Sequence, residues 1–130
     1  MLRTVFVSTI VLIFAADSVL AARLHIEHDK DAGKISVFRA GAEEPILTQN
    51  ARPDFRPYIH PIQAPDGKGT LTQFSPDHHK HQTGLYWGFT RVNGRDFFHH
   101  PGGEYWRRVD ASVLNATESG DQDFVRWQTI

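Results

Sequence analysis

Proline returns every four residues at Pro53, Pro57, Pro61 and Pro65, and Gly, Asn and Asp punctuate the chain on either side. Each proline fixes φ, removes an amide donor and pushes the preceding residue toward extended geometry. No helix can run through such a stretch. Between the breakers lie short runs rich in Val, Ile, Phe, Tyr, Trp and Thr, and none carries a convincing helical apolar period. The pattern predicts an all-β chain, an antiparallel β-sandwich of short strands. Residues 52–69 themselves read as a stiff loop carrying Arg56, Tyr58 and His60 along a surface.

Three hairpins are expected. Leu24-His25-Ile26-Glu27-His28 alternates with period two, residues 29–33 are turn formers, and residues 34–39 resume the extended pattern. A turn at Gly41 then precedes another extended run, Pro45-Ile46-Leu47-Thr48. The second hairpin centres on Asn93-Gly94, a pair suited to the two positive φ angles of a type I′ turn. Its register would put Trp87, Phe89 and Phe98 on a core face, pair Arg91 with Asp96, and leave His99 and His100 at the strand end. The third runs from 105–117 to 123–130 around Glu118-Ser119-Gly120-Asp121. It contains the tripeptide Asn115-Ala116-Thr117, a glycosylation sequon to which we attach no functional weight.

The termini bound the domain. Arg3, an apolar run over residues 5–16 and the small-residue exit Val19-Leu20-Ala21 read as a cleavable signal peptide over 1–21. Residues 22–130 would then form one domain, secreted or periplasmic. The final residues 124–130 alternate like a strand in mid-course, so the sequence is expected to be the N-terminal part of a sandwich with further strands beyond it. Cysteine is absent and the formal net charge is −1, which leaves no disulfide framework and no basic field for nucleic acid or anionic lipid. After the signal no apolar run is long enough to cross a bilayer as a helix.

Chemistry is carried by histidine, of which there are 8. His79 and His81 share a face if extended and could present two imidazoles to a divalent metal such as zinc or copper, with His60, His99 or Asp77 as third ligand. Alternatively His79, His81 or His60 serves as general acid or base, oriented by Asp77 or Glu104. A third reading makes the His78–His81 stretch a solvated turn. Arg56 would hold a polar or anionic group, and Tyr58 and Trp106, with Tyr86, are candidates to stack on a substrate. His25 and His28 read as structural or exposed. No nucleophile triad, P-loop or dinucleotide fingerprint is present.

Several of these pieces occur in a fixed order: Arg56-Pro57-Tyr58-Ile59-His60-Pro61, the histidine cluster, Gly84-Leu85-Tyr86-Trp87-Gly88, and Val92-Asn93-Gly94-Arg95-Asp96-Phe97. Over residues 50–107 the chain resembles exported bacterial proteins labelled PmoA family or methane oxygenase PmoA. Those proteins are typically longer, which the resemblance shares with the mid-strand ending. Their occurrence in glycan-degrading bacteria implies a carbohydrate ligand, and their strand-rich pattern is similar to the large sandwich of galactose mutarotase relatives, an analogy of fold alone. The expectation is therefore binding or processing of a carbohydrate at Arg56, Tyr58, His60, His79, His81 and Trp106. The alternatives are a copper- or zinc-dependent oxidase, oxygenase or hydrolase using His79, His81 and His60, and a non-catalytic envelope or glycan-binding module.

Overall fold

The computed structural model describes residues 23–115 and 124–130. The signal-peptide reading over 1–21 and most of the sequon lie outside them. Among the described residues there is no helix, and hence none long and apolar enough to cross a membrane. The chain is all-β, as its breakers and strand formers predict.

Among the described residues, seven strands form two antiparallel sheets. The larger runs β1 (Leu24–Asp29), β2 (Lys34–Arg39), β3 (Leu47–Asn50), β4 (Tyr58–Ile62) and β5 (Leu85–Tyr86), each paired with its neighbour in sequence. The smaller pairs β6 (Ala111–Asn115) with β7 (Arg126–Thr129). The opening hairpin has the expected bounds, with Ile26 opposite Val37 and His28 opposite Ile35. Asp29 closes its turn by accepting a 2.8 Å hydrogen bond from the Ala32 amide.

Period-two alternation decides which face is buried. Ile26, Ile35 and Val37 point one way, and Leu47 joins them across β3. Ala111, Val113, Val125 and Trp127 from the smaller sheet pack down on them, which makes the two layers of a sandwich. Ile35 is fully buried and Val37 is 2 % exposed, and each such side chain contributes about 1.5–3 kcal/mol through burial. The Trp127 indole also donates 3.3 Å to the Gln49 side-chain carbonyl, a polar tie between the layers.

Two expectations are corrected here. Residues 58–62 are a central strand of the sheet, not part of a surface loop. Proline is tolerated because the β3–β4 register shifts between Leu47 and Gln49, and Pro61 falls where the ladder is interrupted. The Asn93-Gly94 turn does form, with φ of 50° and 77° and a Val92–Arg95 bridge, but the long ladder does not. Arg91 takes φ 60°, which breaks the extended run one residue before the bridge, and only Leu85–Tyr86 remains a strand. Trp87 and Phe89 are consequently 81 % and 56 % exposed rather than core. The third hairpin is shorter than expected, since residues 105–110 precede β6 as turn and irregular chain.

Candidate functional site

Arg56 organises the irregular half of the molecule. Its side chain is 1 % exposed. Nη1 donates to the carbonyl of Phe98 at 2.5 Å and to that of Phe97 at 3.4 Å. Nη2 donates to the His81 carbonyl at 2.6 Å and to the Thr83 hydroxyl at 3.2 Å. The guanidinium carbon lies 3.4 Å from the centre of the Tyr86 ring, a cation–π contact. No carboxylate pairs with it among the described residues, and burial lowers its pKa from the ordinary arginine value. With both terminal nitrogens committed to the protein, Arg56 is not the ligand-holding surface residue the sequence suggested. It ties the 81–83 segment to the 97–98 segment across β5.

Gly84 makes that tie possible. At φ 91° it brings the chain so close to β4 that a Cβ would lie 2.4 Å from the Ile59 carbonyl oxygen. Only glycine fits both the backbone angle and the approach.

Around this anchor the structure places imidazoles in edge contact. His79 lies 5.8 Å from His81, and His81 4.6 Å from His99, between ring centres. The Asp96 carboxylate accepts from His99 Nδ1 at 2.7 Å and caps the amides of Phe98 and His99. Hydrogen bonding from His99 holds the Asp96 carboxyl below its ordinary pKa. Burial first, then the neighbouring His99 and His79, lowers His81 below the usual imidazole value. The expected orienting carboxylates do not serve: Asp77 pairs with Lys80, and Glu104 stands exposed. Asp96 takes that role, having been assigned to Arg91 by the hairpin register that failed.

His60 does not join this cluster. On β4 it shares a 2.8 Å hydrogen bond with the Thr72 hydroxyl and lies 6.1 Å from the Phe74 ring, and burial lowers its pKa. Among the described residues no group of three or more His, Asp, Glu or Cys side chains is arranged to hold a metal ion. The His60–His79–His81 ligand set is therefore not assembled in this arrangement.

What the fold does assemble is an aromatic groove. One half, about 190 Å³, is lined by Pro57, Tyr58, Leu85, Tyr86, Trp87 and Thr129, with Gln49 and Ile59. The other, about 270 Å³, is lined by Pro57, Trp87, Trp106, Arg107, Arg108 and Thr129. Pro57, Trp87 and Thr129 belong to both, so the halves adjoin along one trough between β4–β5 and the end of β7. Trp106 is set edge-on to Phe97 at 5.6 Å and donates its indole N–H to the His100 carbonyl at 3.0 Å. Arg108 is fixed by a 2.8 Å bond to the Ala51 carbonyl. Tyr58 is half-buried against Phe55 and Phe74, and burial raises its pKa. Tyr58 and Trp106 thus reach one groove, and neither lies in the histidine cluster. Sequence reasoning missed Trp87, Arg107 and Arg108. Trp87 was concealed by the presumed ladder; the adjacent Arg107-Arg108 pair beside Trp106 was the one visible signal.

An all-β sandwich with an aromatic, arginine-edged groove describes the class of protein. The chain belongs to a family of unknown function, DUF6807, whose model matches residues 42–130. No curated protein and no solved structure matches it.

Proposed function

We propose that this protein binds carbohydrate in the Trp87–Trp106 groove, outside the cytoplasm. The observation that carries the reading is Trp87: a large indole 81 % exposed at the junction of two adjoining pockets, with Trp106, Pro57 and two arginines around it. Exposed aromatic area of this kind marks a binding surface, because the apolar face of a sugar ring stacks on an aromatic plane while polar groups at the rim meet its hydroxyls. Export rests on the signal-like residues 1–21, and the resemblance to PmoA-labelled proteins favours a glycan ligand.

Processing of the bound sugar is the second reading, favoured by Asp96–His99, a carboxylate-oriented imidazole in contact with His81.

Calorimetric titration against a panel of neutral and acidic oligosaccharides tests the binding. Trp87→Ala should weaken binding of whichever saccharide binds by about ten-fold or more, the scale of one aromatic stacking contact. Unchanged affinity in that variant would remove the groove from the account. Turnover lost in His99→Asn with binding retained would establish processing.

A further inference from the structure

We infer that the saccharide this groove selects is acidic, carrying a carboxylate or a sulfate ester on the ring beside the stacked one. The inference rests on the carbohydrate reading of the same groove.

Three observations carry it. Arg107 and Arg108 line the half of the groove that holds Trp106, and among the described residues no Asp or Glu side chain lines either half. The chain as a whole has formal net charge −1, so this arginine pair is a local feature and not the background of a basic protein. Arg107 is exposed and makes no hydrogen bond, ion pair or ring contact among the described residues, while Arg108 is held by its bond to Ala51 and keeps its Nε buried and without a partner. One guanidinium is thus fixed and its neighbour is uncommitted beside an indole.

A guanidinium presents paired N–H donors that match the two oxygens of a carboxylate or sulfate, and such charge-assisted bonds are about twice as strong as neutral ones. A neutral sugar would use the aromatic planes and leave Arg107 solvated. An acidic sugar would use both. The groove discriminates by charge at one end and by ring shape at the other.

The test uses the full chain and three probes: oligogalacturonate, the same oligomer fully methyl-esterified, and a sulfated galactan oligosaccharide of equal length. The charged oligomer should bind at least about ten-fold more tightly than its ester at low salt, an advantage that shrinks as sodium chloride rises. Arg107→Gln should collapse the advantage, the acid losing several-fold more affinity than the ester; its exposed site keeps the fold intact, with circular dichroism as the check. Preference for the galacturonate over the sulfated probe assigns a uronate, and the reverse assigns a sulfate ester; either supports the inference. Equal binding of acid and ester overturns it and leaves the carbohydrate reading standing. Binding of neither overturns both. Equally tight binding of a mixed single-stranded oligonucleotide overturns it as well, by making the groove a general polyanion site.

Discussion

Residues 24–50 and residues 52–110 are held together by different means. In the first stretch, alternation, a four-residue turn and regular ladders make three strands, and stability is spread over Ile26, Ile35, Val37 and the side chains that cover them. In the second, single residues carry the structure. Arg56 ties two segments through carbonyls that no strand partner satisfies, and Gly84 lets the chain pass close against β4. Dispersed apolar packing tolerates local error, because each contact is small. A hub does not, since removing it orphans several buried acceptors at once. The imidazole cluster and most of the groove lie in the hub-held region, where irregular backbone presents side chains that a regular sheet would turn inward.

Substitutions should separate the two regimes. Arg56→Met leaves the His81 and Phe98 carbonyls unpaired and should cost about 4 kcal/mol in urea denaturation, since each orphaned buried acceptor costs 1–3 kcal/mol. Arg56→Lys should not rescue it, because an ammonium cannot fork to four acceptors. Full stability of either variant would end the hub description. Ile35→Ala, at a fully buried site, should cost about 3 kcal/mol as a cavity in the sandwich core. Hydrogen exchange should show this loss across β1–β3 and the Arg56 loss confined to 75–101. Gly84→Ala forces a Cβ into the Ile59 carbonyl at a positive φ and should cost about 2 kcal/mol.

Acid should act on the second region. His60 is held below the ordinary imidazole value by burial, and His81 by burial and then by its charged neighbours. Between each depressed value and the unfolded value of about 6.5 the unfolded chain binds more protons. The stability these sites contribute is present above that range and lost as pH falls through it. Tm should therefore be lower at about pH 5 than at about pH 8, with a flatter profile in His60→Gln/His81→Gln. The Asp96 carboxyl, held low by His99, loses its contribution in a separate and more acidic window. The smallest stability change should come from Trp87→Ala, within about 0.5 kcal/mol because the indole is exposed, although its effect on binding should be among the largest. A strongly destabilised Trp87→Ala would mean the indole is structural after all.

The same contrast explains what was legible in the sequence. Alternation and turn residues specify β1, β2 and the all-β class, because period two leaves few options once one face is buried. The Asn93-Gly94 turn was equally legible, and its φ angles are as expected. Its strands were not, because the left-handed backbone at Arg91 has no local signature. The fate of Arg56 was hidden for a related reason: its acceptors lie 25 to 42 residues away and are mostly backbone carbonyls, which no side-chain pattern reports. Tyr58 and Trp106 were found because aromatic residues near Pro and Gly are conspicuous. Trp87 was missed because the expected ladder put it on a core face.

The central claim is that ligand meets the aromatic trough and not the histidine loop. Deuterium exchange with and without the tightest-binding saccharide tests this most directly. The account predicts new protection at 85–88 and 105–109, with 76–82 unchanged. Protection concentrated at 76–82 and 96–100, with the trough unaffected, would contradict it and return the site to the imidazoles.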